Sequence, residues 1–350
     1  SASFFHSYEW LETYWRHYGR GQRLRALVVH SCGKPIGIVP LCVREQRYRV
    51  GKVRVLSYPL DDWGMWYGPI GPNPAASLVL AMQHVRHTRR DWDMIDRRWT
   101  RRGMDDGGLT ARAMRIAGME ARRRDFQTTS VVDIEGTWDD FLASRTGKRR
   151  SEFRRVLRRT FEQGEVQFVR HRPIPARLGG GDPRWDLYDM CETVAANSWQ
   201  SEVKTGNTLC SERVRGFLRD AHRQAARLGM VDINLLIKAG QPVAFAYNYH
   251  HQGNVFGLRT GFDGSAPCQS AGIALILRSL KDSFDRGDSQ IDMGIGDWAF
   301  KRRIRTGSLT SQRLTHAPIH SLKSQAVRLV EWSKARFGQQ PEKINKPASA

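Results

Sequence analysis

A hairpin, a further strand and a helix follow one another in the second half of the chain. The hairpin strands Val231–Lys238 and Pro242–His250 are apolar and are joined by Ala239-Gly240-Gln241. The segment Val255–Asp263 predicts the next strand, and Ile273–Phe284 predicts a helix. Gly264–Cys268 is turn-like, so the segment that follows it lies at a junction between a strand and a helix.

The turn between that strand and that helix predicts a ligand site. Its residues are Gln269, Ser270, Ala271, Gly272 and Ala274. Gly272 has no Cβ, and the first amides of a helix have no intrahelical partner. Those amides and the helix dipole suit a diphosphate. The alternative is a short turn that only connects two elements, because such turns are common.

The turn also fits the acyl-CoA-binding pattern Q/R-x-x-G-x-G/A, and Gln290–Met293 supplies the strand that follows the helix in a GNAT-type core. From about residue 3 to about residue 315, the chain resembles the CelD-like branch of the GNAT superfamily, related to the FemAB and FemX peptidyltransferases. The segments that carry the resemblance are Ser3-Phe4-Phe5, Glu9-Trp10-Leu11, Pro35–Leu41, Leu56–Asp62, Arg145–Gly164, Ser198-Trp199-Gln200, Pro242–Phe245, Gly261-Phe262-Asp263, Asp292–Asp297 and Lys301.

The resemblance implies an α/β (α+β) fold of tandem GNAT-like domains, each a mixed, mostly antiparallel sheet flanked by helices. The first half repeats the order of elements of the second half without a phosphate turn. Its predicted elements are a helix at Tyr8–Tyr18, a hairpin over Leu24–Val43, a strand at Val53–Tyr58, a helix at Ala75–Arg90 and a strand at Met94–Trp99. We expect an N-terminal GNAT-like domain without a donor site at residues 1–125, a C-terminal acyltransferase domain at 126–320, a C-terminal helix at 321–338 and a flexible tail at 339–350.

The net charge of +21 is concentrated in two segments, Arg86–Arg102 and Arg145–Arg159. In the second, Phe153, Leu157 and Phe161 recur every four residues, which predicts an amphipathic helix with a basic face. This face predicts a polyanionic ligand, and CoA, tRNA, a nucleotide-linked sugar and an anionic lipid surface all stay open. A solvated surface helix is the alternative. Aromatic residues do not interleave the run, so a dedicated single-strand nucleic-acid surface is disfavoured.

Several classes of protein are excluded by composition. Charged residues interrupt every apolar segment, so we expect no transmembrane segment. The five cysteines are scattered and form no C-x-x-C pair, so neither a disulfide framework nor a metal site is expected. No signal peptide is recognisable, which favours a cytoplasmic location, with a peripheral position at the inner membrane face left open.

The resemblance implies acetyl-CoA or another acyl-CoA as the donor and direct attack by the acceptor amine. The acceptor would be a sugar, a polysaccharide precursor or a small metabolite. In GNAT folds two central strands splay apart and orient the donor, and we expect Pro242–His250 and Val255–Asp263 to be those strands. The chain has no convincing Ser-His-Asp or Cys-His arrangement, which fits a reaction without an enzyme nucleophile.

Three charged side chains are candidate catalytic residues. Asp263 ends a predicted strand and Asp297 follows Gln290–Met293, so either is placed to accept a proton, with a turn carboxylate as the alternative. Lys301 matches the lysine that follows this turn in the related families, although Phe300 stands where a tyrosine is frequent. The candidate substrate-binding residues, for which core packing is the alternative, are Trp199, Tyr247 and Tyr249.

Two other functions stay open. A FemAB-like transferase would take an aminoacyl group from tRNA and form a peptide bond on a cell-envelope precursor, and the tandem architecture and basic surface support it. A non-catalytic scaffold in exopolysaccharide production would keep the fold without the chemistry. The acyl-CoA interpretation ranks first because the pattern at Gln269, Gly272 and Ala274 is intact.

Overall fold

The computed structural model describes residues 3–59, 63–101, 108–162, 165–202, 208–266, 268, 270–296, 298–319 and 321–336. The chain forms two compact units, with unit 1 made from residues up to Thr128 and from Thr310 onward, and unit 2 from Thr129–Leu309. The predicted domain division at 125 and 320 stays a prediction. The predicted tail at 339–350, and Asp61, Asp62 and Gly164 of the resemblance, lie outside the described residues.

Unit 1 is built from the two ends of the chain. Its elements are α1 (Tyr8–Tyr18), β1 (Arg23–Ser31), β2 (Lys34–Tyr48), β3 (Gly51–Ser57), α2 (Pro74–His87), β4 (Met94–Arg101), α3 (Leu109–Ile116), the first part of β5 (Arg122–Asp133), most of β11 (Gly307–His316) and α10 (Leu322–Arg336). Its strands follow the order β1-β2-β3-β4-β11-β5. The β3–β4 pair is parallel and α2 connects the two strands, whereas the β1–β2, β2–β3 and β4–β11 pairs are antiparallel.

Unit 2 contains the segment predicted to bind a ligand. Its further elements are α4 (Trp138–Ala143), α5 (Gly147–Glu162), β6 (Val166–His171), α6 (Trp185–Ala196), α7 (Glu212–Arg227), β7 (Val231–Lys238), β8 (Gln241–His251), β9 (Asn254–Phe262), α8 (Ala271–Arg286), β10 (Gln290–Ile295) and α9 (Ala299–Ile304). Its strands follow the order β5-β10-β9-β8-β7-β6. The β9–β10 pair is parallel, and the other pairs are antiparallel. The predicted fold class, with mixed and mostly antiparallel sheets flanked by helices, is confirmed.

The two faces of the unit 2 sheet carry different helices. On one face, Ala244 and Ala246 of β8 pack against Ala274 and Leu275 of α8. Because side chains alternate along a strand, Tyr247 points to the other face, where its ring packs on Tyr188 of α6. The site described below therefore has α8 and α9 on one side and α6 on the other.

A buried network of charged residues links the strands of unit 2 at one end. Arg170 of β6 pairs with Asp232 of β7 at 2.7 Å, and Arg172 pairs with Asp288 at 2.7 Å and with Asp232 at 3.1 Å. Burial opposes ionisation of Asp232 and Asp288, but Arg170 and Arg172 outweigh it and hold the pKa of Asp232 below the usual range. At Asp288, Arg172 with His250 and Ser283 has the same effect on the pKa. The network fixes edge strand β6 and the end of α8 to β7.

Replacing Asp232 with Asn should lower the free energy of unfolding by about 3–5 kcal/mol at pH 7, because it removes one of the two carboxylates that the buried guanidinium groups of Arg170 and Arg172 share. Urea unfolding measures the change. The control is Asp186→Asn, which breaks an exposed pair with Arg184 and should cost less than about 1 kcal/mol. The folded-state pKa is depressed, so the stabilisation is complete above the unfolded pKa of about 3.9 and is lost below it. Equal effects of the two variants, or a difference that does not shrink below about pH 4, would contradict this account.

Candidate active site

Strands β9 and β10 lie side by side for a short distance and then separate. Their parallel ladder pairs Asn254 with Gln290, Val255 with Ile291 and Phe256 with Asp292. Within the described parts of both strands, the ladder has no further pair beyond Phe256 and Asp292. The carboxyl ends of β9 and β10 therefore border an opening in the sheet.

Each of the two strands has a bulge where the ladder ends. Tyr247 and Asn248 of β8 lie opposite Arg259 and Gly257, which makes Leu258 an extra residue on β9. On β10, two residues between Asp292 and Ile295 stand opposite the single β5 residue between Val131 and Thr129. A bulge bends the strand that carries it, so two bulges at the same level explain why the strands diverge.

Two glycines permit the close contact directly before the opening. Gly294 has a φ of +75°, and a Cβ built on it would lie 2.7 Å from the carbonyl oxygen of Gly257. A Cβ on Gly257 would lie 2.9 Å from the carbonyl oxygen of Asp292. Larger residues at either position would push β9 and β10 apart at the last ladder pair.

The prediction that Pro242–His250 and Val255–Asp263 splay apart is wrong. The corresponding strands, β8 and β9, are paired from His251 with Asn254 to Ala244 with Phe262. The opening lies instead on the other side of β9, facing β10. Strand β9 stays paired with β8 on both sides of its bulge, but its pairing with β10 ends there. The hydrophobic periodicity of the sequence does not reveal such a bulge.

The turn after β10 is held by a buried carboxylate and a buried ammonium group. Asp292 accepts a hydrogen bond from the Gly294 amide at 2.9 Å and from the Thr129 hydroxyl at 3.1 Å. Lys301 of α9 is 6% exposed, and its Nζ donates to the carbonyl oxygens of Gly294 at 2.9 Å and Ile295 at 2.7 Å. In the structure Lys301 thus fixes the turn, and its catalytic role stays a prediction.

The predicted phosphate turn lies at the start of α8, which begins at Ala271. Ser270 has a φ of +62°, a left-handed conformation that is strained for a residue with a side chain. A Cβ on Gly272 would lie 2.9 Å from the ring of Phe262, so glycine is also needed for packing between β9 and α8. The first turn of a 16-residue helix lies here, next to the end of β9, and although the Ala271 amide donates to the Cys268 carbonyl oxygen at 3.3 Å, the positive end of the helix dipole suits a diphosphate. Ala274 is buried against β8, and Gln269 lies outside the described residues.

Two tryptophans meet beyond the carboxyl end of the strands. The rings of Trp199, which follows α6, and Trp298, which precedes α9, are 5.7 Å apart and nearly perpendicular. Next to Trp199, the side chain of Gln200 donates to the Thr260 carbonyl oxygen at 3.3 Å and accepts from the Leu209 amide at 3.1 Å. The segment that carries Trp199 is therefore fixed on the separated half of β9, and the substrate-binding role of Trp199 stays a prediction.

Asp263 is engaged in a turn. Its carboxylate accepts from the Ser265 amide at 2.8 Å and from the Ser265 hydroxyl at 2.6 Å. These two hydrogen bonds lower the pKa of Asp263, which makes it a weaker base. The geometry thus favours a structural carboxylate over a proton acceptor. The other candidate, Asp297, lies outside the described residues.

Tyr247 and Tyr249 lie in the core between the sheet and the helices α6 and α7. Both are about 1% exposed, and the Tyr247 hydroxyl is 3.1 Å from Nδ1 of His222. Burial raises the pKa of both tyrosines and lowers that of His222 to about 4, so this cluster is neutral at pH 7. The structure does not place the two hydroxyl groups at the opening between β9 and β10, and their substrate-binding role stays a prediction.

Three residues of the site, Gly257, Leu258 and Trp298, were not predicted from the sequence, whereas Gly294 lies in the segment Asp292–Asp297 that carries the resemblance. Gly257, Leu258 and Gly294 create the opening, and Trp298 packs against Trp199 beyond the end of β10. An isolated glycine inside a strand often marks a bulge or a close backbone approach, so the bulge near Gly257 could have been predicted from the sequence. The position of Trp298 could not, because only the fold brings it to Trp199.

No group of three or more His, Cys, Asp and Glu side chains in the described parts of the chain is arranged to hold a metal ion. Of the helices that the structure describes, none has both the length and the apolar character needed to cross a bilayer.

Comparison with known proteins gives a family match for part of the chain. Residues 147–302 match the family described as an acetyltransferase (GNAT) domain. Comparison with curated protein sequences gives no match.

Three solved structures resemble the chain over most of its length. L-PGS from Bacillus licheniformis is 16% identical with a TM-score of 0.54, covering 95% of this chain and 98% of that one. The C-terminal domain of a protein named as a lysylphosphatidylglycerol synthetase, from Agrobacterium fabrum, is 13% identical with a TM-score of 0.56, covering 93% and 96%. FemX is 13% identical with a TM-score of 0.49, covering 94% and 96%. At these identities the first two show the fold alone, and the third supports no further argument.

Replacing Lys301 with Met should destabilise the protein by about 1–3 kcal/mol, because the buried carbonyl oxygens of Gly294 and Ile295 would lose a donor. Urea unfolding measures the change. The control is Lys281→Met, the same substitution at an exposed position of α8, which should change stability by less than about 0.5 kcal/mol. If both variants were equally stable, Lys301 would not hold this turn.

Proposed function

We propose that the chain is an N-acyltransferase that uses acetyl-CoA or another acyl-CoA, and the match of residues 147–302 to the acetyltransferase (GNAT) domain family supports this proposal. The acceptor is an amine of a sugar, a polysaccharide precursor or a small metabolite. The observation that carries the proposal is the parallel pair β9–β10, which opens directly beside the first turn of α8. A donor can place its diphosphate on that turn and its acyl group between the strands.

The reaction is a direct transfer. The amine nitrogen attacks the thioester carbonyl carbon, a C–N bond forms, and the C–S bond breaks. The proton lost by the amine passes to an acceptor group, and the leaving thiolate takes up a proton. Because the strands hold the donor beside the amine, positioning supplies much of the rate enhancement.

Each part of the site has a proposed role. The first turn of α8 binds the diphosphate, and the separated half of β9 orients the acyl group through its backbone. Trp199 and Trp298 border the acceptor side. We propose Asp297 as the proton acceptor, because Asp263 already accepts two hydrogen bonds and has a lowered pKa. Lys301 acts as a positioning residue for the turn directly before Asp297.

A second candidate is a FemAB-like peptidyltransferase that takes an aminoacyl group from tRNA for cell-envelope synthesis. The basic residues of α5 favour it, since an RNA donor needs many phosphate contacts. Its chemistry at the opening would be the same, with an ester oxygen in place of the thioester sulfur as the leaving atom. The third candidate function is that of a non-catalytic scaffold in exopolysaccharide production. For all three we propose a cytoplasmic location, with peripheral contact at the inner membrane face as the alternative.

Acetyl-CoA should raise the thermal unfolding temperature in a concentration-dependent way, equivalent to about 2.7 kcal/mol at a hundredfold excess over Kd. Gly272→Glu should abolish the rise, because it adds negative charge at the first turn of α8 and a side chain against Phe262. The control is Gly264→Glu, which makes the same charge change where a Cβ meets nothing within 4 Å. It should keep most of the stabilisation.

The result decides between donors. Stabilisation by acetyl-CoA that survives Gly272→Glu would place the donor elsewhere. If charged tRNA binds with a steep dependence on salt while no acyl-CoA stabilises the protein, the peptidyltransferase replaces the acyl-CoA enzyme as the better account.

A further inference from the structure

Unit 1 has its own parallel pair of strands that separates. Strands β3 and β4 are connected by α2, and within the described parts of both strands their ladder ends where Leu56 pairs with Ile95. Beyond this pair, β4 has a bulge, since Arg98 and Trp99 stand opposite a single residue of β11. In unit 2 a bulge likewise follows the last ladder pair of β9 and β10. The ends of β3 and β4 therefore form a second opening in the sheet.

Arg97 lies at this opening without a counter-charge. It is two residues beyond Ile95 on β4 and is 0% exposed. Its Nε and both Nη atoms are buried, and they have no hydrogen-bond partner among the residues that the structure describes. All five N–H donors of the guanidinium group are thus unused. Because a buried charge is strongly unfavourable unless it is paired, this group requires an anionic partner.

Two buried tyrosines pack on the guanidinium group. Its central carbon lies 3.8 Å from the centre of the Tyr58 ring, which stacks on the Tyr67 ring with centres 5.9 Å apart. The Tyr58 ring attracts the cation but supplies no acceptor atom for its N–H groups. The walls beside Arg97 are therefore aromatic, while its hydrogen-bonding capacity stays available.

Two tryptophans next to these residues have a strained backbone. Trp66, which precedes Tyr67, has a φ of +57°, and Trp99, in the β4 bulge, has a φ of +58°. Their rings meet edge to face with centres 5.5 Å apart. In the β10 bulge of unit 2 the second residue is Gly294, for which a left-handed backbone is not strained. Backbone strain of this kind clusters at sites that hold ligands.

We propose that the opening between β3 and β4 binds an organic carboxylate, which pairs with Arg97 and lies against the aromatic rings. A carboxylate accepts two parallel hydrogen bonds from a guanidinium group and carries the one negative charge that neutralises it. A phosphate dianion would leave a second negative charge buried without a partner, so a monoanion fits a single arginine better. The aromatic rings favour a ligand with an apolar body.

An irregular segment gives the ligand access to Arg97. Trp66 and Tyr67 belong to residues 63–67, which form neither a helix nor a strand. Such a segment opens locally at a lower cost than a strand, so a ligand can enter without disrupting the sheet. The residues of the site all belong to unit 1, and the proposal does not depend on the acyl donor.

Thermal unfolding with sodium benzoate tests the site, with sodium chloride at the same ionic strength as the reference and benzamide as the neutral analogue. Benzoate should raise the unfolding temperature of the wild type saturably, by about 5 °C at about a hundredfold excess over Kd, and benzamide should not. Arg97→Met should abolish the rise. The matched control is Arg98→Met, which removes the same charge one position along, where Arg98 pairs with Asp96 at 2.9 Å, and it should keep the rise.

The same variants should also differ without ligand. Arg97→Met should leave the unfolding temperature unchanged or raise it, because it removes a buried charge that has no partner. Arg98→Met should lower the unfolding temperature, because the buried carboxylate of Asp96 loses one of its partners.

The inference is overturned if benzoate stabilises the wild type no more than benzamide does, or if its effect survives Arg97→Met. If benzoate has no effect and ligand-free Arg97→Met unfolds at a lower temperature, a carboxylate of the chain itself neutralises Arg97. The double variant Asp61→Asn/Asp62→Asn, at positions outside the described residues, should then cause a similar fall. None of these results bears on the proposed acyl transfer.

Discussion

The contact between Gly257 and Gly294 is the constraint on which the candidate site depends. The two backbones approach so closely that a Cβ on Gly294 would lie 2.7 Å from the Gly257 carbonyl oxygen. Gly294 is one of the two bulge residues of β10, and the extra residue of β9 directly follows Gly257, so β9 and β10 diverge from this contact onward. Tight packing at the bulges and separation after them convert a continuous sheet into one with a defined opening. The helix that connects the strands then begins at the same edge.

Buried charge stabilises the two ends of this region in different ways. At one end, Arg170 and Arg172 share Asp232 and Asp288, which fixes the outer strands without involving the opening. At the other end, Lys301 satisfies backbone carbonyl oxygens. The positive charges around the start of α5 are only partly neutralised. A protein that keeps such charges together leaves electrostatic attraction available for a ligand.

The sequence predicted the regular elements well and the site only in part. Helix Tyr8–Tyr18 and strand Val231–Lys238 have the predicted bounds, because strong periodicity and clear turns delimit them. Strand β5 was missed, since its first half is rich in arginine and resembles a surface segment. The choice of splayed strands was wrong because pairing depends on bulges, which involve residues from two strands. The network of charged residues around Asp232 was not predicted, because its members come from distant parts of the sequence.

Hydrogen–deuterium exchange in the presence of acetyl-CoA tests the central claim that the opening between β9 and β10 and the first turn of α8 hold the donor. Saturating acetyl-CoA should slow exchange at the amides of Leu258–Phe262 and Gly272–Leu275. Strands β1 and β2 of unit 1 should exchange as before. Protection confined to unit 1, or no change near the opening despite saturation, would contradict the account.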